Sequence, residues 1–171
     1  GKRLLNLYDR ELLEEHKLDA EAEPGDELRI LVENMGRVNF GPGMEEQRKG
    51  IDGCVQINGH MHHHWRQYCL PLNNLEKLNF TRGYAEGLPA FYRFELQAEE
   101  TGDTFLDLEG WGKGCVFVNG FSIGRFWEIG PQKRLYIPAP LLRQGKNEII
   151  VFETEGKSTG EISFSDEPDI G

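Results

Sequence analysis

No apolar run in this 171-residue chain approaches the length needed to cross a bilayer, so no membrane partner is expected. It also lacks a basic stripe. Its 19 Lys and Arg are outnumbered by 29 Asp and Glu, giving a net charge of −10, and such a diffuse acidic surface repels a phosphate backbone. No nucleic-acid partner is expected. Cysteine is scarce: Cys54, Cys69 and Cys115 are scattered and form no CxxC pair. Free thiols in a reducing compartment fit this usage and favour a cytoplasmic location without settling it, and a bacterial source is expected; one disulfide with one thiol left over stays open. Gly1 does not begin a signal-peptide pattern. There is no GxSxG and no defensible Ser/His/Asp order. The glycine-rich Gly110-Trp-Gly-Lys-Gly114 precedes a strand, so it lacks the helix N-terminus that cradles phosphate, and no cofactor is expected.

The apolar fraction, 38%, is that of an ordinary globular protein and allows one large or two small domains. Gly and Pro recur between short apolar runs, the pattern of a sandwich or jelly roll. Phe94, Leu96 and Ala98 alternate with Arg93, Glu95 and Gln97, which predicts a strand with one wet face. Thr104 to Leu108 alternates likewise. Gly114 to Val118 reads as a central strand closed by an Asn119-Gly120 turn, and Gly50 to Ile57 as a strand closed by Asn58-Gly59. His60 to Leu75 reads as a strand running into a connection. Arg134 to Ile137 is a strand stopped by Pro138, Pro140 to Gln144 one helical turn, and Asn147 to Glu153 and Glu161 to Phe164 the last strands. A short helix is expected over Glu11 to Lys17.

The chain repeats itself. Gly1-Lys-Arg-Leu-Leu matches the Gly120 opening of a second copy, and Gly25-Asp-Glu-Leu-Arg-Ile-Leu-Val-Glu33 matches its ending, Gly145-Lys-Asn-Glu-Ile-Ile-Val-Phe-Glu153. Leu28 to Val32 is therefore expected to be a strand buried on both sides. The fold class expected is all-β: tandem jelly-roll or β-sandwich units, the first truncated because its NG turn falls at residue 1. Truncation predicts exposed sheet edges, with a disordered start or edge-to-edge association.

Few residues suggest chemistry. His60, His62 and His64 can share a strand face with His63 beside them, a metal-binding pattern, but a solvated edge or loop whose histidines bind nothing is the better reading. No Cys, Asp or Glu falls within the cluster, and no metal is expected. Glu45, Glu46, Asp52, Asp103, Asp107 and Glu109 flank turns and strands as solvated carboxylates rather than as an opposed pair with one raised pKa. Phe121, Phe126 and Trp127 flank Ile123-Gly124-Arg125. Aromatic rings cover the C–H face of a sugar well and Arg125 adds donors, so Arg125, Phe126 and Trp127 are candidate sugar contacts; core packing is the competing reading, for them and for Trp111.

The string Gly110-Trp-Gly-Lys-Gly-Cys-Val-Phe-Val-Asn-Gly-Phe-Ser-Ile-Gly-Arg-Phe-Trp-Glu-Ile-Gly-Pro-Gln132 resembles the C-terminal signature of family 35 glycoside hydrolases, the β-galactosidases. Leu135-Tyr-Ile-Pro138, Asn147 to Glu153 and Ile30-Leu-Val-Glu-Asn-Met-Gly-Arg-Val-Asn-Phe-Gly41 extend the resemblance over nearly the whole chain. It implies two galactose-binding-like β-sandwich domains: residues 1–72 as the end of the first, 73–87 as a linker and 88–171 as the second. It implies a parent that is a retaining exo-galactosidase, with both catalytic glutamates on a (β/α)8 barrel that nothing here matches. No catalytic residue is expected in this chain, which alone should hydrolyse nothing. Its partners would be that barrel and a galactoside substrate, with a homo-oligomer left open. At the motif Val38-Asn39-Phe40-Gly41 the family usually carries Tyr; Phe40 keeps the ring that helps wall the barrel's active-site mouth and loses the hydroxyl. Glu33 and Arg37 read as a structural pair. A stand-alone carbohydrate-binding module and a pure interaction domain are the other readings.

Overall fold

The computed structural model describes residues 2–8, 11, 14–36, 38–81, 83 and 87–171. The expected NG turn at Gly1, the helix through positions 12 and 13, the Glu33–Arg37 pair and positions 82 and 84–86 of the expected linker lie outside the described residues. Two compact units form, Gly1–Ala20 with Leu72–Gly171, and Glu21–Pro71. The architecture is all-β, with several antiparallel sheets. Among the described residues none forms a helix long and apolar enough to cross a membrane.

In the smaller unit, β1 (Val55–Ile57) and β2 (His60–His62) make a hairpin. Its turn is the expected one: Asn58 and Gly59 take φ of 52° and 75°, the mirror-image turn that only such residues enter cheaply. The expected strand at Leu28 to Val32 is not there. These residues form no ladder, and Leu28, Ile30, Leu31 and Val32 are 38–48% exposed. An apolar run is buried on both faces only when it lies central in a sheet, and among the described residues of this unit none pairs with it.

The larger unit is a sandwich. Its strands are β3 (Ala90–Ala98), β4 (Thr104–Asp107), β5 (Lys113–Val118), β6 (Phe121–Trp127), β7 (Arg134–Ile137), β8 (Gly145–Glu153) and β9 (Ser163–Ser165). One sheet has the order β3-β8-β5-β6, the other β7-β4-β9. Leu106, Trp111, Val116, Val118, Leu135, Ile137, Ile149 and Val151 fill the space between them. Trp111 is 1% exposed and meets Tyr92 edge-on, 4.8 Å between ring centroids. Its indole N–H donates to the Glu161 carbonyl at 2.8 Å, so the buried ring carries no orphaned donor.

β8 is central and is buried on both faces. Ile149 and Val151 point into the core, while Ile150 and Phe117 lie side by side on the outer face of the four-stranded sheet. Beside them Phe91 stacks on Phe152 at 4.2 Å, and the Arg93 guanidinium lies 4.7 Å over the Phe80 ring. Gly114 permits the close β5–β8 approach: a Cβ there would overlap the Phe152 carbonyl oxygen, which the ladder holds fixed. Gly114→Ala is therefore expected to cost about 3 kcal/mol. At the open turn position Gly120, φ 83° with nothing within 4 Å, alanine is expected to cost only about 1 kcal/mol. Urea midpoints of the two variants test this, and equal losses would contradict it.

Candidate functional site

The β5–β6 ladder decides which candidates share a face. Lys113 pairs with Trp127, Gly114 with Phe126 and Cys115 with Arg125. Alternation sends Arg125 and Trp127 to the outer face and Phe126 inward. Phe126 is buried in the core, edge-on to Trp111 at 6.5 Å. Arg125 is exposed.

Trp127 is partly covered from its own unit. The Tyr8 ring lies 5.3 Å from it at 37°, and the buried Lys113 ammonium sits 5.0 Å from the Trp127 centroid and 5.4 Å from that of Tyr8. Two aromatic faces on one ammonium replace part of the water it gives up. The Tyr8 hydroxyl donates to Glu155 Oε1, and Arg3 donates to the Glu155 carbonyl. Burial, then the Glu155 carboxylate, push the Tyr8 hydroxyl up to about 12 from 10.0.

Two carboxylates that the sequence reading passed over lie next to this group. Glu153 is 0% exposed and Glu155 is also buried. A Cβ at Gly112 would stand 2.7 Å from Glu153 Oε1 and 3.1 Å from Glu155 Oε2, so the two side chains flank one glycine. Burial raises the Glu153 pKa, and four backbone amides oppose that. Lys113 N and Glu155 N donate to Oε1 at 3.4 and 2.9 Å, Gly156 N and Lys157 N to Oε2 at 2.5 and 3.1 Å. A glycosidase pair faces a cleft with room for a sugar between its oxygens. Glu153 instead spends both oxygens on a turn of its own chain. The signal for it is a Glu ending an apolar strand just before Glu155-Gly156.

A shallow cavity of about 240 Å³ borders Trp127, with Trp111 and Phe126 at its floor and Glu109, Glu128, Lys133 and Asp169 around its rim. Asp107 and Arg134 at its wall pair at 2.7 Å. Donors and acceptors around an aromatic floor suit the holding of a small polar molecule. At the opposite end of β4, the Ala139 amide at 2.8 Å holds the Asp103 carboxyl below its ordinary range.

The remaining candidates are on the smaller unit. Phe40 is 86% exposed. It precedes Gly41, whose φ of 103° turns the chain into the short 3-10 helix Pro42–Met44. The Gln47 side chain accepts from Val38 N at 2.8 Å and ties the loop across its neck. His60, Met61 and His62 are all exposed on β2. Among the described residues, no three His, Cys, Asp or Glu stand close enough to hold a metal ion.

The raised Tyr8 pKa has a sign. A hydroxyl with a folded value above its unfolded value contributes stability that is complete below pH 10 and is lost as pH rises through about 12. A tyrosinate absorbance titration should show one group ionising near 12 that disappears in Tyr8→Phe. Titration of every tyrosine near 10 would contradict the contact.

Comparison with known proteins agrees with this architecture. The family model of the β-galactosidase galactose-binding domain matches residues 89–147, and that of the β-galactosidase first all-beta domain matches residues 2–73. Beta-galactosidase-1-like protein 2 of Homo sapiens is 44% identical over 154 residues, 84% of this chain and 24% of its own length. Beta-galactosidase 17 of Arabidopsis thaliana is 42% identical over 75% of this chain and 21% of its own. A beta-galactosidase of Xanthomonas manihotis is 36% identical over 73% of this chain and 21% of its own. The chain thus spans between a fifth and a quarter of the length of these relatives. It belongs to the β-galactosidase family and carries sequence of that family's first all-beta and galactose-binding domains.

Proposed function

We propose that this chain is the accessory, non-catalytic β-domain portion of a β-galactosidase. Residues 1–72 and 88–171, joined through 73–87, brace a catalytic (β/α)8 barrel that removes terminal β-galactosyl residues with retention. Phe40 lies at the rim of that barrel's pocket, where its ring walls the substrate. The observation that carries this reading is the 86% exposure of Phe40. A phenylalanine presented to solvent on a tied loop costs hydrophobic free energy unless another surface covers it. The relatives named as galactosidases, of which the match covers only 24% and 21%, support the barrel as that surface.

The rival is a stand-alone galactoside-binding module built on Arg125, Phe126 and Trp127. With Phe126 in the core and Trp127 beside Tyr8 and Lys113, that site presents mainly Arg125 to a sugar.

In a polypeptide that joins this chain to its barrel, Phe40→Ala should raise KM for an aryl β-galactoside about fivefold, with kcat within about twofold. Phe40→Tyr should keep the wild-type KM, because the ring is retained. Stability should change by less than about 0.5 kcal/mol in both. An unchanged KM in Phe40→Ala would remove Phe40 from the pocket.

A further inference from the structure

Among the described residues, both sheets of the sandwich end in strands paired on one side only, and three of these four edges are blunted. β7 has four residues and runs into Pro138, and β9 has three. β6 carries a register shift opposite Val116 and Phe117 and a left-handed Gly124 at φ 124°. Short length, proline and bulges are the devices that keep an edge from pairing with another chain. β3 has a proline, Pro89, only before its first residue, and neither a bulge nor a short span within it. It runs nine residues, Ala90–Ala98, in unbroken register with β8, and among the described residues no strand pairs on its other side.

The β3 sequence is complementary to itself. An antiparallel pair of two copies centred on Phe94 matches the strand end to end, Ala90 opposite Ala98. On the outer face it sets Arg93 against Glu95 twice, with no like charges opposed. On the core face it sets Phe94 against Phe94 and Tyr92 against Leu96. Moving the centre by one residue either way brings Glu95 against Glu95 or Arg93 against Arg93. Opposite charges and aromatic pairs directly across a ladder each stabilise it, and like charges destabilise it. Arg93 and Glu95 are both exposed. Within one copy Glu95 pairs with the exposed Lys146 at 2.6 Å and Arg93 lies over Phe80, so the reciprocal contact adds to, or exchanges with, solvent-screened partners.

The core supplies the second reason. Phe94 and Leu96 face inward yet stay only half-buried, because the sandwich gapes on that side. A cleft of about 370 Å³ lies there, lined by Phe94, Leu96, Ile162 and Phe164. A second β3 would cover these side chains and join two four-stranded sheets into one of eight.

We propose that β3 is the seam of a homodimer, two copies of this chain pairing antiparallel about Phe94 with reciprocal Arg93–Glu95 contacts. This goes beyond the accessory role and does not depend on it. Sedimentation velocity of the chain between about 1 and 100 µM tests it. A concentration-dependent dimer is expected. Arg93→Glu alone and Glu95→Arg alone should each weaken it at least tenfold by opposing like charges, and the double exchange should bring it back to within about threefold. Hydrogen exchange on the unaltered chain gives a reading free of any folding defect: protection of the outward β3 amides should rise with concentration. A monomer throughout this range, a dimer indifferent to either single reversal, or a double exchange that stays monomeric would overturn the proposal. So would β3 amides whose protection ignores concentration, as when another segment already covers the edge.

Discussion

The sandwich depends on one strand being buried on both of its faces. β8 lies between β3 and β5, and its side chains leave water in both directions: Ile149 and Val151 into the core, Ile150 under the outer layer. A strand so placed cannot leave its polar ends unpaired, because a buried group without a partner costs more than a hydrogen bond returns. At one end the fully buried Asn147 donates to the Arg143 and Gly145 carbonyls at 2.7 and 3.1 Å and accepts from Asn119 at 2.8 Å. At the other end Glu153 collects its four amides. The two polar clamps fix the register of the strand, and the register fixes everything that pairs with it.

The aromatic and charged group around Trp127 is a consequence. Because β5 pairs with β8, Lys113 starts its strand beside the Glu153 turn, and the Lys113 carbonyl receives the Thr154 amide at 2.8 Å. Because β6 pairs with β5, Trp127 stands over Lys113. Glu155, held at the same turn, then meets Tyr8. A group of this kind joins chain segments far apart in sequence. It uses buried charge, which destabilises strongly when one member is removed.

Much of this was legible because β strands and turns leave local marks. The Asn119-Gly120 turn, the alternation of β3 and the stop at Pro138 are written in adjacent residues. Ile149-Ile150-Val151 and Ile30-Leu31-Val32 are written almost alike, yet only the first is buried, since burial on both faces depends on which strands lie alongside and not on the run itself. β6 carried no clean alternation, because the register shift and Gly124 turn Ile123 inward out of phase. Glu153 looked like any strand-ending carboxylate; its burial is set by the fold of Glu155 to Lys157 around it. Phe126 and Trp127 are neighbours in the chain and on opposite faces of the sheet, so a shared aromatic site read from their proximity is divided by strand geometry.

The claim that matters most is the proposal that bond cleavage requires a domain other than these strands, with the buried Glu153 holding a turn and the buried Glu155 holding Tyr8. The direct measurement is hydrolysis of an aryl β-galactoside by the purified chain, before and after a second purification. The account predicts release indistinguishable from buffer at every pH tried. Turnover that co-purifies with the chain and is abolished by Glu155→Gln would contradict it.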